Sequence, residues 1–329
     1  MKLEALIKAF KRVKIAVAGD LVADEFIYGQ IDRVSREAPV LILKYDATEI
    51  VPGGAGNAAN NASALGARVN VIGIAGRDSV GDRLVQVLGK RANVSGIARI
   101  KGLVTPVKTR ILAGGVHSAK QQVVRIDRAG DATPTPAIRA VETALVKALR
   151  SSDAIILSDY GAGLITPASW KRALSAARVR RMPVVVLDSR YNLTGFTDVT
   201  ACTPNESEAE ALVGFRIGES GSLLERAGRT LLKQLQCKAV LITRGSRGMA
   251  LFEPDRPTNH IPIVGSDQIA DVTGAGDTVI ATFALALAAG GSFVDAARLA
   301  NFAGGLVVMK RGTATVDADE LIGAVRRGD

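Results

Sequence analysis

The sequence predicts an α/β fold in which helices cover both faces of a parallel sheet. Its second half alternates amphipathic helices with short apolar strands, and this alternation implies parallel strands joined by crossover helices. Polar residues follow several of the predicted strands, as expected where an open α/β sheet binds ligands at the C-terminal ends of its strands. An apolar content of 47% in 329 residues is ample for the core of one large domain.

The N-terminal part predicts a buried strand that ends beside a ligand cleft. Residues 1–8 are expected to form an amphipathic helix, and the β-rich run Val13–Ala18 ends in Gly19-Asp20. A strand this apolar is buried, and an acid at its end lies at the edge of the sheet. We therefore interpret Asp20 as a ligand contact, with a simple turn aspartate as the alternative.

A glycine-rich turn, Pro52-Gly53-Gly54-Ala55-Gly56-Asn57, precedes a small-residue helix that ends near Gly66. The turn matches the G-x-G-x-x-A spacing of a dinucleotide site, but the next strand, Val69–Ile74, offers no acid for a ribose hydroxyl. We favour a sugar site, in which backbone amides of the turn and the Asn57 side chain meet hydroxyl groups. A helix over Val80–Arg91 follows.

Four short runs predict a second, smaller sheet beside the main core. They alternate apolar with polar residues, which indicates that one face is exposed. These runs are Phe26–Gly29, Val40–Tyr45, Val107–Ala113 and Gln122–Ile126. The last two predict a hairpin around Gly114-Gly115.

From about Pro134 onward, helices and strands alternate regularly. The predicted helices are Ala137–Arg150, Pro167–Arg181 and Leu223–Leu235. The predicted strands are Ala154–Leu157, Val184–Leu187, Asp198–Cys202 and Ala239–Ile242, and two short strands follow at Met249–Phe252 and Asn259–Val264. Polar residues come after the first four of these strands, among them Asp159, Asp188, Asn205 and Thr243. A parallel topology brings these polar residues to one edge of the sheet.

The segment Ala270–Thr278 leads into the first of three C-terminal helices, predicted over 278–289, 293–310 and 317–327. Gly274 and Gly276 leave room for a ligand, and the free N–H groups at the start of the helix favour an anion. Asp277 in the first turn is either a helix cap or a general base. As a base it would take a proton from a hydroxyl group that attacks a phosphoryl group.

Charge and composition argue against several classes of protein. The net charge is +10, but only Arg178-Val179-Arg180-Arg181 forms a basic cluster beyond a pair, and aromatic residues are few at 4%. We therefore expect no nucleic-acid partner. No apolar run reaches the ~20 residues of a membrane span, and the first residues lack the apolar core of a signal peptide, so we expect no membrane association. The two cysteines form no disulfide framework, which favours a cytoplasmic protein.

Two of these motifs, Asp271–Asp277 and Gly53–Asn57, resemble the signatures of the ribokinase-like, or PfkB, family of sugar kinases. The resemblance covers essentially the whole chain. It implies a three-layer α/β/α ribokinase-like fold with a mostly parallel central sheet and a small β-sheet lid. We therefore expect a single kinase domain over residues 1–329, with lid segments near residues 21–50 and 104–128 inserted in it.

The resemblance also implies a role for each motif residue in a kinase that uses ATP and Mg²⁺. Asp277 would be the general base, with the amides of Gly274, Ala275 and Gly276 stabilising the transferred phosphoryl group. The sugar would be held by Asp20, Gly53, Gly54 and Asn57. ATP would be bound by Asn205, Thr243, Arg244, Gly245, Gly248, Gly274, Gly276 and Asn301. Asn205 and Glu208 would hold Mg²⁺ through water, although such a pair at a helix start is also a common cap. We expect the helix N-terminus to hold the pKa of Asp277 low.

A narrower resemblance is to the kinase part of the ADP-heptose synthesis enzymes. It rests on Ser35–Val40, Pro52–Asn57, Leu157–Tyr160, Thr203–Glu206 and Asp271–Thr278. It implies phosphorylation of the anomeric hydroxyl of D-glycero-β-D-manno-heptose 7-phosphate, with Lys108, Arg110 and Arg125 as lid cations for the existing phosphate. It also leads us to expect only the kinase half of the bifunctional version.

Two departures from that pattern keep the acceptor sugar open. This chain has Arg36 where the pattern has Pro, and Asp188-Ser189-Arg190 where the pattern has Asp-Pro-Lys. The alternatives are another PfkB-type kinase, acting on fructose, ribose or a nucleoside, and a non-catalytic regulator that binds a sugar or nucleotide. Because exposed lid strands have unpaired edges, we also expect a homodimer formed through the lids.

Overall fold

The computed structural model describes residues 2–115, 120–128, 133–264, 271–310 and 312–328. The strands are β1 (Lys14–Gly19), β2 (Leu21–Val34), β3 (Leu41–Gly54), β4 (Arg68–Gly76), β5 (Asn93–Ile100), β6 (Val107–Gly114), β7 (Gln121–Arg128), β8 (Ala154–Asp159), β9 (Val184–Ser189), β10 (Ala201–Cys202), β11 (Ala239–Thr243), β12 (Met249–Phe252) and β13 (Asn259–Ile261). The helices are α1 (Leu3–Ala9), α2 (Ala55–Ala64), α3 (Ser79–Gly89), α4 (Thr135–Ser151), α5 (Pro167–Ala177), α6 (Glu206–Val213), α7 (Gly221–Leu235), α8 (Ala275–Ala288), α9 (Phe293–Val307) and α10 (Ala318–Gly328).

The large sheet has the strand order β13-β12-β11-β10-β9-β8-β1-β4-β5. The strands from β5 to β11 along this order pair in parallel, and only the β11–β12 and β12–β13 pairs are antiparallel. The C-terminal ends of the parallel strands therefore meet at one edge, as the helix–strand alternation predicts.

Helices cover both faces of this sheet, which gives three layers. Along β1, the side chains of Ile15 and Val17 belong to one hydrophobic core, whereas Ala16 and Ala18 belong to the other. Successive residues of a strand point to opposite faces, so one apolar strand contributes to both cores. The first core includes residues of α1, α2, α8, α9 and α10, and the second includes residues of α4, α5, α6 and α7.

The second sheet has the strand order β3-β2-β6-β7 and forms the lid. Its β2–β6 pair is parallel and its two other pairs are antiparallel. The two long strands run further than expected, because β2 begins at the buried Leu21 and β3 continues to Gly54. The start of β2 and the end of β3 thus pack against the main core, and the opposite ends of these two strands are exposed.

The sequence reasoning missed the edge strand β5 of the large sheet. Its first four residues alternate between exposed and partly buried, and it carries Ser95 and Gly96, so it lacks the apolar run that identified the other strands. The predicted strand Asp198–Cys202 is shorter in the structure, where β10 covers only Ala201–Cys202. Ala270, the first residue of the predicted catalytic segment, lies outside the described residues. No helix in the described part of the chain combines the length and apolar character needed to cross a membrane.

Candidate active site

Three adjoining cavities follow the C-terminal edge of the large sheet. The Asn301 cavity, of about 180 Å³, has walls that include Thr243, Gly245, Gly248, Gly276 and Asn301. The Asp277 cavity, of about 280 Å³, has walls that include Asp188, Asn205, Glu208, Gly276 and Asp277. The Asp20 cavity, of about 320 Å³, has walls that include Asp20, Val22, Lys108, Tyr160 and Arg190. Since Gly276 is shared by the first two cavities, and Tyr160 and Arg190 by the last two, they form one continuous trough.

The loop before α8 depends on two residues, Gly274 and Asp271. Gly274 has φ +79°, and a Cβ atom there would lie 2.4 Å from Asn57 Nδ2. Glycine is therefore needed for both conformation and space. The Asp271 carboxylate fixes the loop by accepting hydrogen bonds from the backbone N–H groups of Thr273 and Gly312, at 2.9 and 3.1 Å. The loop thus delivers Asp277 to the first turn of the helix, in the wall of its cavity.

The Asp277 carboxylate is buried and held at both oxygens. Asn57 Nδ2 donates to Oδ2 at 2.8 Å, and the Tyr160 hydroxyl donates to Oδ1 at 3.0 Å. Burial nevertheless raises the pKa of Asp277 to about 6, against the opposing effect of these hydrogen bonds. Our expectation that the helix N-terminus would hold this pKa low is therefore wrong, because desolvation of the carboxylate outweighs the favourable dipoles around it.

The predicted amide contacts at this helix are only partly available. The Ala275 N–H donates to the carbonyl of Val272 at 3.3 Å, so it is engaged within the loop. Gly276 faces open space, since a Cβ atom there would meet nothing within 4 Å. Of the three predicted amide positions, Gly276 thus offers the least obstructed approach to the trough.

Asn57 holds the Asp277 carboxylate in this structure. Its side chain is fully buried, and its amide donates to Asp277 while its Oδ1 accepts from Asn61 Nδ2 at 3.0 Å. It does not line the three cavities of the trough. Its contacts therefore orient Asp277, and the sugar contact stays a prediction.

Asp20 lies in the wall of its cavity, and its predicted ligand contact stays a prediction. Its Oδ2 accepts from the backbone N–H groups of Tyr160 and Ala162, at 2.8 and 3.1 Å. Its Oδ1 is buried without a hydrogen-bond partner, although it belongs to a residue of the cavity wall. Burial raises the pKa of Asp20 to about 6. An orphaned acceptor beside a cavity is suited to a donor supplied by a ligand.

Gly53 and Gly54 pack closely against Asp24 and Asp20, and they do not line the described cavities. Gly54 has φ +56°, and a Cβ atom there would lie 2.6 Å from the Asp20 carbonyl oxygen. A Cβ atom at Gly53 would lie 2.5 Å from Asp24 Oδ2. Gly54 thus leaves room for the backbone of Asp20 after β1, and Gly53 leaves room for Asp24 of β2. The hydroxyl contacts predicted for both glycines stay a prediction.

Of the three predicted lid cations, only Lys108 lies in the wall of the Asp20 cavity. Arg110 is buried and donates to Asp24 Oδ1 at 2.6 Å, so its charge is balanced inside the lid. Arg125 makes two 2.7 Å hydrogen bonds to Asp127 on an exposed strand. Both arginines are thus paired with acids that are close in space, and their predicted phosphate contacts stay untested.

The sequence analysis did not include Tyr160 among the candidate site residues, and it noted Arg190 only as a departure from the family pattern. The Arg190 guanidinium carbon lies 4.9 Å from the centre of the Tyr160 ring, and Lys108 Nζ lies 5.5 Å from it. Both cations line the Asp20 cavity. The available signal was their place directly after β8 and β9, where strand ends meet at the ligand edge.

Asn205 and Glu208 form the helix cap that was the alternative to a metal role. Asn205 Oδ1 accepts from the Glu208 N–H, and Glu208 Oε2 accepts from the Asn205 N–H, both at 2.9 Å. The two residues also line the Asp277 cavity together with Asp188. Burial, followed by the charges of Glu208 and Asp277, raises the pKa of Asp188 to about 8. The cavity therefore brings several carboxyl groups close together.

The predicted nucleotide residues separate into two groups. Thr243, Gly245, Gly248, Gly276 and Asn301 line the Asn301 cavity. Arg244 does not: its guanidinium donates to Glu206 Oε2 at 2.7 Å and to the Gly218 carbonyl at 2.9 Å. Arg244 thus stabilises the loop beside the cavity.

The chain is similar in sequence to curated bacterial proteins along most of its length. The chain is 41% identical over 327 residues to the bifunctional protein HldE of Geobacter metallireducens, covering 98% of this chain and 65% of that protein. It is 39% identical over 315 residues to HldE of Caulobacter vibrioides, covering 95% and 64%. The chain therefore spans less than two thirds of the length of these relatives.

Solved structures show the same fold at lower identity. Arabidopsis thaliana ribokinase complexed with ribose and ATP has a TM-score of 0.71 at 20% identity, covering 95% of this chain and 99% of that one. Escherichia coli phosphofructokinase-2 in complex with substrates and products has a TM-score of 0.74 at 19% identity, covering 96% and 99%. These likenesses confirm the ribokinase-like fold expected from the sequence.

The family assignment rests on a match along nearly the whole chain. Residues 17–320 match the sequence model of the pfkB family of carbohydrate kinases. This span begins within β1 and ends within α10, so it includes both sheets and all three cavities. The chain therefore belongs to the pfkB family of carbohydrate kinases, which are phosphotransferases with a hydroxyl group as acceptor.

Proposed function

We propose that this protein uses ATP to phosphorylate the anomeric hydroxyl of D-glycero-β-D-manno-heptose 7-phosphate, giving the 1,7-bisphosphate. The acceptor is supported by the resemblance to the kinase part of the ADP-heptose synthesis enzymes and by the similarity to HldE over 98% of this chain. The structural observation that carries the proposal is the order of groups along the trough. A buried carboxylate lies between a glycine-lined cavity and a cavity that bears two cations.

Asp277 has the properties of a general base. With a pKa of about 6 it is mostly ionised at neutral pH, and it is more basic than an ordinary aspartate. The hydrogen bonds from Asn57 and Tyr160 fix both oxygens while leaving further lone pairs for a substrate hydroxyl. The proton of the attacking hydroxyl would pass to this carboxylate as the new oxygen–phosphorus bond forms.

The sugar phosphate would lie in the Asp20 cavity. The unpartnered Oδ1 of Asp20 would accept a hydrogen bond from a sugar hydroxyl. Lys108 and Arg190 would bind the phosphate of the substrate, because no carboxylate among the described residues lies within ion-pair distance of either cation. Burial lowers the pKa of Lys108, and a bound phosphate dianion would favour its charged form.

ATP and Mg²⁺ fit the other end of the trough. Thr243, Gly248 and Asn301 would hold the nucleotide, and the open face of Gly276 admits a phosphate group at the helix start. The described residues contain no cluster of three or more acidic, His or Cys side chains placed to hold a metal directly. The oxygen atoms of Asp188, Asn205 and Glu208 suit a hard cation held through water. When bound, ATP supplies the phosphoryl group and Mg²⁺ neutralises its charge.

A panel of acceptor sugars tests the proposal directly. With ATP and Mg²⁺, we expect kcat/KM for the heptose 7-phosphate to exceed that for fructose, ribose or a nucleoside by about a hundredfold or more, because two charge-assisted contacts are lost without the phosphate. ADP release is the measurement. Turnover of an unphosphorylated sugar, with none of the heptose phosphate, would identify another PfkB-type kinase. ATP binding without turnover of any sugar would favour the regulator.

The acidic limb of the pH profile tests the role of Asp277. Lowering the pH protonates the carboxylate, so kcat should fall about tenfold per pH unit below about pH 6. This limb lies at higher pH than for an aspartate of ordinary pKa, because burial raises the pKa.

Asp277→Asn should lower kcat by about 10²- to 10⁴-fold and remove the limb. An Asp20→Asn variant, which removes the other carboxyl group that titrates near pH 6, should keep the limb in kcat. Activity of Asp277→Asn within about threefold of the parent would contradict the assignment.

Removing the lid cation tests the phosphate site. Lys108→Met keeps the length of the side chain but loses its charge, so KM for the heptose phosphate should rise by about tenfold or more, with kcat changed much less. The matched control is Lys101→Met, which removes one positive charge from an exposed turn outside the described cavities. Equal changes in KM in both variants would show a general charge effect and would contradict the assigned site.

We also propose that two copies associate through their lids. The outer strand β7 is exposed along its whole length, and its Val124 and Ile126 are 48% and 54% exposed. The strands β3 and β7 leave both edges of the lid sheet open among the described residues. Unpaired edges with apolar side chains are commonly covered by another strand or another copy.

Light scattering at several protein concentrations measures this association. We expect the mass of a dimer, and an Ile126→Lys variant should shift the equilibrium toward the monomer because it places two charges in the buried contact. The control is Met182→Lys, which introduces the same charge at an exposed position outside the lid. A monomer mass at every concentration would refute the dimer.

A further inference from the structure

Tyr160 connects three parts of the site that the proposed reaction uses separately. It follows β8 directly, and its backbone N–H donates to Asp20 Oδ2 at 2.8 Å. Its side chain is shared by the walls of the Asp20 and Asp277 cavities. No other aromatic residue among the described residues lines both cavities. Tyr160 therefore lies at the boundary between the acceptor end and the base.

The Tyr160 hydroxyl acts on the base through one hydrogen bond. It donates to Asp277 Oδ1 at 3.0 Å, while Asn57 holds the other oxygen. The charge of Asp277, together with burial, raises the pKa of Tyr160 well above its ordinary value. The phenol thus stays protonated and remains a donor at the pH values where the carboxylate is ionised.

The Tyr160 ring acts on the two cations of the Asp20 cavity. Lys108 Nζ lies 5.5 Å and the Arg190 guanidinium carbon 4.9 Å from the ring centre, both within the range of a cation–π contact. Lys108 comes from the lid strand β6, and Arg190 follows β9 of the large sheet. The ring is thus the common contact between a lid residue and a residue of the main body.

We propose that Tyr160 is a positioning residue that couples the phosphate-binding cations to the orientation of the catalytic carboxylate. Its hydroxyl fixes Asp277, and its ring fixes Lys108 and Arg190 at a set distance from that carboxylate. The proposal rests on the proposed function for the identity of the reaction. The arrangement itself, in which one side chain contacts an acid and two cations, does not depend on which sugar is the acceptor.

Tyr160→Phe separates the two functions of this residue, because it removes the hydroxyl and keeps the ring. The loss of one hydrogen bond to the ionised carboxylate should raise the pKa of Asp277, by about one unit for a charge-assisted bond of ordinary strength. The acidic limb of kcat should move to higher pH by the same amount. KM for the sugar phosphate should change by less than about threefold, because the ring still orders both cations.

Tyr160→Leu removes the ring as well and should give a second effect. The pKa of Asp277 should rise as in Tyr160→Phe, and KM for the sugar phosphate should also rise by about tenfold, because the cations lose their common contact. The matched control is Tyr191→Phe, which removes a phenol hydroxyl from a side chain that is 69% exposed and outside the described cavities. This control should leave both the limb and KM unchanged.

A readout independent of turnover distinguishes failure of this inference from failure of the proposed function. ¹³C NMR of carboxyl-labelled protein, with the Asp277 signal assigned by its loss in Asp277→Asn, gives the pKa of that group in the free protein. A higher pKa in Tyr160→Phe than in the parent supports the coupling even if the acceptor is another sugar. Equal pKa values in the parent and in Tyr160→Phe would overturn the inference, as would equal KM values in Tyr160→Phe and Tyr160→Leu.

Discussion

The rest of the site depends on the burial of one carboxylate, that of Asp277, at the start of α8. An ionised acid in this position is stable only if its oxygens are hydrogen-bonded, and both are: Asn57 reaches it from α2 and Tyr160 from the end of β8. Three distant segments of the chain are thereby fixed relative to one another. Because burial still dominates, Asp277 keeps a raised pKa, as the proposed general base would need.

This constraint explains the small-residue composition of the neighbouring helices. Ala55, Ala58 and Ala59 of α2 are fully buried against the core that contains α8, and short side chains let the two helices approach closely. The approach brings the Asn57 amide to Asp277, and it brings Asn61 Oδ1 within 2.9 Å of the Thr278 hydroxyl. Gly274 before α8 and the alanines of α2 thus both allow the contact between Asn57 and Asp277.

The charges along the trough are arranged in an order that suits phosphoryl transfer. The middle carries the carboxylates of Asp188 and Asp277, and the acceptor end carries Lys108 and Arg190. An acidic centre accommodates a cation and a base, whereas the basic end favours an anionic acceptor. The lid contributes to this order directly, since β6 carries Lys108 and β2 carries Val22 in the wall of the Asp20 cavity.

The sequence by itself determined the helix–strand alternation and the edge of the sheet at which Asp20, Asp277 and the residues of the Asn301 cavity lie, because these depend on periodicity and on local loop chemistry. Only the tertiary structure decided which polar groups meet. Asn57 and Asp277 are 220 positions apart, and Arg110 finds Asp24 across 86 positions. Such pairings, and the burial that sets the pKa of Asp277, depend on packing between distant segments. Packing therefore gave Asn57, Arg110 and Arg125 hydrogen-bond partners within the protein and placed Tyr160 and Arg190 in the trough.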